Sequence, residues 1–184
     1  MTEETKQRII DIKKELRTSM NGVASSAMRR DGLEYRVNFG VELPRIQAIA
    51  ADFAPDHELA QQLWKEEVRE CKILATLLQP KESFLPEIAD IWVESIRTVE
   101  MAQLASINLF RHMDYASTKA FEWIAQDNEM IQICGYYTLC HLFRQSALSE
   151  RSADEFTDQA TTALSSDNPH LRNAARRALN IFRG

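Results

Sequence analysis

The chain is poor in residues that break helices and in patterns that carry chemistry. Five glycines and five prolines among 184 residues leave few turn formers. Leu, Ala, Glu, Gln and Arg, which favour helices, are abundant, so an all-α protein is expected. The three cysteines, Cys71, Cys134 and Cys140, are an odd number at spacings that match no zinc motif. Buried reduced thiols are therefore expected, rather than a disulfide framework or a metal centre. No run of about 18 or more apolar residues occurs. The N-terminal MTEETKQRII lacks the basic lead and apolar run of a signal peptide, so a cytoplasmic protein with no membrane partner is expected. There is no glycine-rich phosphate loop and no Gly-x-Ser-x-Gly, which leaves Ser25-Ser26 and Ser165-Ser166 as caps or turns rather than nucleophiles. His57, His112, His141 and His170 are scattered, with no carboxylate at triad or metal spacing, and belong at the surface or its boundary. No metal and no cofactor is expected.

What is present is enough for one domain over residues 1–184, with 45% hydrophobic residues to build its core. The net charge of −5 is unevenly spread. Residues 1–50 carry nine Lys/Arg against seven Asp/Glu, residues 51–166 nine against nineteen, and residues 167–184 four against one. Basic ends thus flank an acidic middle, a balance that disfavours a broad non-specific nucleic-acid surface but leaves room for a local one.

Apolar residues recur at helical spacing along most of the chain. Ile9, Ile12, Leu16 and Met20 form one stripe, ending near Asn21-Gly22, and Ser25-Ser26 can open a short second helix. RRDGLEYRVNFGVELP, with two glycines and a proline, reads as the longest loop, and a helix resumes at Leu43-Pro44. Two short helices break near Lys65, and Pro80 ends the second. Ser83 is a candidate cap for the next, and three more stretches lead to residue 127. Trp64, Trp92 and Trp123 lie on apolar stripes and read as core.

The chain then repeats itself. Asp127-Asn128 opens DNEMIQICGYYTLCHLF, and Asp167-Asn168, forty positions on, opens DNPHLRNAARRALNIFRG. Aligning the two matches Ile131 with Leu171, Cys134 with Ala174, Gly135 with Ala175, Thr138 with Ala178 and Leu139 with Leu179. A period near 40 with two helices per unit is the signature of HEAT-type repeats. An α-α superhelix, a solenoid of about ten to twelve short helices, follows as the expected architecture.

YRVNFGVELPRIQAIA, LAQQLWKEEVRECKILATLL, WIAQDNEMIQ and LSSDNPHLRNAARRALNIF together resemble the AlkD-like DNA alkylation repair family, from about Tyr35 to Phe182. The most recognisable parts are Gly40-Val41-x-x-Pro44 and Leu63-Trp64 followed by Arg69-Glu70. The resemblance implies HEAT-like repeats whose second helices line a concave surface that cups damaged DNA. It also implies a glycosylase that removes positively charged alkylpurines without flipping the base, using a Trp-x-x-x-Asp helix, a later Arg and a final Trp-x-x-Arg. The carboxylate in such a set acts electrostatically, where positive charge develops on the sugar.

Every matching position departs from that set. The Trp falls on Val99 and the Asp on Gln103; the Arg falls on Ile133, and the final pair on Arg177 and Asn180. Gln103 carries no charge and cannot act as a base. Glu100, about 60° from Gln103 around the helix, is the nearest substitute carboxylate. Helical spacing groups Val99, Gln103 and Ser106, then Ile133, Tyr137 and Cys140, then Asn173, Arg177 and Asn180 as candidate ridges of one wall. The candidate binding residues are Gln103, Tyr137, Asn173, Arg172, Arg176, Arg177 and Asn180, and Arg29, Arg30, Arg36 and Arg45 can extend a basic patch. The helix of residues 130–143 is apolar nearly all round, which favours simple burial by both neighbours over a place on that wall. Three readings stay open: a binder of double-stranded DNA or another partner without standard glycosylase catalysis, a glycosylase using other residues, and a scaffold for a protein partner.

Overall fold

The computed structural model describes residues 1–33, 35–144 and 150–184. Eleven α-helices succeed one another among them: α1 (Glu3–Thr18), α2 (Gly22–Arg30), α3 (Leu43–Ala51), α4 (His57–Lys65), α5 (Arg69–Leu78), α6 (Pro86–Ser95), α7 (Val99–Asn108), α8 (Ala116–Ile124), α9 (Glu129–Leu142), α10 (Glu150–Ala163) and α11 (Pro169–Phe182). The described residues form no strand beyond one isolated parallel bridge, Val37 to Val68. The all-α expectation holds. The chain divides into two compact units, Met1–Leu85 and Pro86–Gly184.

Three boundaries differ from the sequence reading, each for a local reason. α1 stops at Thr18, so Met20 leaves the apolar stripe and is 56% exposed. α2 starts at Gly22 rather than at the serines, because the Asn21 side chain accepts from Ala24 N at 3.0 Å and caps it there. Ser83 does not cap α6. It lies in a 3-10 turn, where its hydroxyl donates to Pro80 O at 3.2 Å, and α6 begins at Pro86.

In the N-terminal unit α1 buries Thr5, Ile9, Ile12 and Leu16 and packs on α3 and α4. α4 pairs with α5, eight of whose ten residues are buried. Two of those eight are charged. Arg69 and Glu70 are 2% and 0% exposed, and their Nη1 and Oε1 atoms lie 3.3 Å apart. The pair holds the segment before α3. Glu70 accepts from Phe39 N and Val41 N, both at 3.2 Å, and Arg69 Nη1 donates to Val41 O at 3.1 Å. Backbone bonds from Val37 N to Glu67 O and from Arg69 N to Val37 O, each 3.0 Å, complete the attachment. Gly40 adopts a φ of +71°, and a Cβ there would lie 2.2 Å from Asn21 O, so only glycine fits where this segment meets the start of α2.

In the C-terminal unit α9 is the spine, packed against α7, α8 and α11. Gly135 lets α8 approach it, since a Cβ would lie 2.9 Å from Ala120 O. The repeat seen in the sequence is reproduced atom for atom at the helix starts. Asn128 accepts from Met130 N and Ile131 N, and Asn168 accepts from His170 N and Leu171 N. Trp64, Trp92 and Trp123 are buried, as are the three free cysteines. Burial pushes the Cys71 thiol up to about 12 and the Cys140 thiol up to about 11, which keeps both inert.

Removing one partner of the buried pair leaves the other uncompensated, so Arg69→Met is expected to lower unfolding free energy by about 3–5 kcal/mol in urea titrations. Gly40→Ala should cost at least about 1–2 kcal/mol through its positive φ alone, before the clash is counted. A variant at either position as stable as the parent would contradict this account.

Candidate functional site

α7, α9 and α11 run side by side in the same direction. Ser106 of α7 donates to Cys134 O at 3.3 Å and accepts from Thr138 at 3.1 Å, while Arg111, just beyond α7, faces His141 in the last turn of α9. Asn168 Nδ2 at the start of α11 donates to Glu129 at the start of α9 at 2.9 Å. At the other ends the Phe143 and Phe182 rings meet with centroids 5.3 Å apart. Each helix therefore presents the same end to the same side.

This register locates the sequence candidates. Val99, Glu100 and Gln103 are half-buried in the first turns of α7. Ile133 and Ser106 are 0% exposed and Tyr137 is 8% exposed, because α7 and α11 cover α9 from both sides. The middle of the expected wall is thus packed core, and Tyr137 and Ile133 offer no open surface. Arg172 is half-buried and donates to Ser166 O at 2.6 Å, which closes the turn before α11. Asn173, Arg176, Arg177 and Asn180 are exposed, opposite the buried stripe of Leu171, Ala174, Ala175, Ala178 and Leu179.

The two ends of the three-helix layer differ in charge. Glu100 and Glu129 occupy first turns, with Asp167 just ahead of α11. A cleft of about 570 Å³ at that end is lined by Asp127, Glu129, Gln159 and Asp167 among others, the wrong sign for a phosphate. Cations gather at the opposite end. Arg111, Arg144, Arg177 and His112 all lie near enough to the half-buried His141 ring to act on it electrostatically, and Arg111 Nε donates to His112 Nε2 at 3.1 Å. Burial first, and then these four neighbours, lower the His141 pKa from 6.5 to about 4. Among the described residues no carboxylate forms an ion pair with Arg111, Arg144, Arg176 or Arg177.

The sequence reading reached Arg177 but missed Arg111, His141 and Arg144. Basic residues at or just beyond a helix end are ordinary, since they offset the helix dipole, so none of the three positions carried a local signal. Only the parallel register brings the three segments to one end. Of the loop arginines, Arg45 is engaged, donating to Glu15 at 2.8 Å and Ser19 at 3.0 Å, whereas Arg29, Arg30 and Arg36 are exposed. Among the described residues no group of three or more His, Cys, Asp or Glu side chains is placed to hold a metal ion, and no helix is long and apolar enough to cross a membrane.

Comparison with known proteins defines the class first. A solved structure from a family of proteins related to the HEAT-like repeat DNA glycosylases, with affinity for branched DNA structures, matches with a TM-score of 0.83. The match spans 93% of this chain and 74% of the other at 16% identity, and it establishes a HEAT-like helical fold. The model of the DNA alkylation repair enzyme family matches residues 12–180, and the chain belongs to that family. No protein of curated function is similar to it at a significant level.

His141 reports on the basic end. Its folded pKa is lowered, so its neutral ring contributes stability that is whole above pH 6.5 and lost as pH falls from 6.5 towards 4. In an NMR pH titration it should protonate well below the ordinary histidine range, and Arg177→Gln should move it upward. A His141 pKa that Arg177→Gln leaves unchanged would mean that the cations do not converge.

Proposed function

We propose that the protein is a cytoplasmic binder of double-stranded DNA that holds backbone phosphates at the basic end of its α7–α9–α11 layer, without the standard glycosylase chemistry of its family. The observation that carries this reading is the set of guanidiniums, Arg111, Arg144 and Arg177, that act electrostatically on one half-buried histidine, with no carboxylate paired to them among the described residues. A chain of net charge −5 has acids to spare for neutralising a structural cation cluster. Cations that no carboxylate pairs with among the described residues suit an anionic ligand. Arg176, Asn173 and Asn180, exposed on α11, extend the surface along the same helix. The affinity of the structurally similar protein for branched DNA favours nucleic acid over a protein partner.

The catalytic half of the proposal rests on what occupies the family positions. Val99 and Gln103 supply neither ring nor charge, and Ile133 is sealed in the core. Gln103 can donate and accept hydrogen bonds, which fits binding, but it cannot stabilise a developing sugar cation as a carboxylate does.

Fluorescence anisotropy of a labelled duplex across a salt series tests the reading. Arg111→Gln/Arg177→Gln should weaken binding and make the salt slope shallower by about 2, at roughly 0.9 for each phosphate no longer neutralised. Saturating duplex should raise the His141 pKa, because a phosphate placed among the guanidiniums favours the charged ring. Methylated DNA should release no alkylated base above a heat-killed control. An affinity indifferent to the double substitution would remove this site, and base release abolished by Gln103→Ala would make the protein a glycosylase after all.

A further inference from the structure

We infer that α2 is a second nucleic-acid contact, an apolar tip backed by two arginines that fits DNA where base stacking is already broken, such as a nick; this rests on the DNA-binding reading above. None of the nine residues of α2 is buried, so packing does not account for the helix. It is nevertheless held firmly from one side. Asn21 N donates to Phe39 O at 2.9 Å, Ser25 Oγ donates to Asn38 O at 2.7 Å, and Asn38 Nδ2 approaches the Met28 sulfur at 3.3 Å. The segment that supplies these groups is the one clamped by Arg69 and Glu70. A helix without buried side chains, mounted on a rigid base, presents its remaining surface outward in a fixed position.

That surface has two parts. Val23, in the first turn of the helix, is 81% exposed and Met20, just ahead of it, is 56% exposed, which puts two exposed apolar side chains at the start of the helix. Arg29 and Arg30, both exposed, form its last turn, and the helix contains no acid. Seven residues at about 1.5 Å each put Arg30 roughly 10 Å along the axis from Val23. Exposed apolar side chains cost free energy in water, whereas proteins that deform DNA set such side chains into unstacked base steps while cations grip the phosphates nearby. A continuous duplex resists that insertion, because a base step must first be unstacked. A nick has lost part of that stacking, so the tip discriminates between the two.

The full chain is tested by anisotropy on an intact duplex and on the same duplex with a central nick, with 2-aminopurine beside the nick as a second readout. The parent protein should prefer the nicked duplex and raise 2-aminopurine fluorescence. Met20→Ser/Val23→Ser should abolish the preference and the fluorescence rise while leaving intact-duplex affinity near its parent value. Arg29→Gln/Arg30→Gln should weaken both complexes and lower the salt slope by about 2. Circular dichroism of the variants should match the parent, since none of the four side chains is buried. If the parent binds duplex but neither pair changes binding, the inference about α2 is wrong and the basic end of the C-terminal unit stands. If the parent binds neither DNA, both readings fall. Retention on anionic vesicles that is lost in the arginine pair, with DNA binding intact, would reassign α2 to a lipid surface.

Discussion

The buried Arg69–Glu70 pair is the constraint on which the N-terminal unit is organised. Two charges out of water are costly, and an isolated pair in the core seldom repays that cost. Here the lone pairs and protons are used to hold backbone: Phe39 N, Val41 N and Val41 O have no helix or sheet partner and would otherwise be orphaned beneath α3. The pair thus converts a stretch too irregular for secondary structure into a rigid strap. Gly40 lets the strap touch α2, and α2 is held by the strap rather than by a core of its own. The motif Gly40-Val41-x-x-Pro44 and the dipeptide Arg69-Glu70, which look unrelated in sequence, are two halves of one contact.

The C-terminal unit is organised by a different device, repetition. Two 14-residue helices, α9 and α11, start with the same Asn cap and lie in parallel register, linked at their starts by Glu129 to Asn168 and at their ends by Phe143 to Phe182. Parallel stacking has an electrostatic consequence. It adds the helix dipoles in one direction, so acids collect at the starts and cations at the ends. The basic end around His141 lies where this polarity favours cations, and burial together with the neighbouring cations outweighs the helix C-terminus, which by itself would favour a charged histidine.

The positions at which the family resemblance would place base-excision residues hold other side chains in this chain. Ile133 fills the core of the spine, and Val99 and Gln103 are half-buried without a charge between them. Arg177, in contrast, supplies a cation where an aromatic residue is expected.

Much of the fold was legible because helical period and capping are local. The stripe of Leu171, Ala174, Ala175 and Ala178, the paired Asn128 and Asn168 caps, and the buried tryptophans all follow from spacing within one or two turns. Burial on both sides of α9 was legible only as one of two options, since an apolar helix does not say which neighbours cover it. The clamp was legible only as two separate motifs, and the basic end only as Arg177. Arg69 and Glu70 do not announce their partners until Val41 is beside them, and Arg111, His141 with Arg144, and Arg177 lie in three separate segments, each innocuous at a helix end or on an exposed face. Sequence by itself determined the helices, their caps and the repeat, because these depend on neighbours a few residues away. Tertiary structure alone decided which charges meet, because a field is set by distance in space, and the register of parallel helices is what sets that distance.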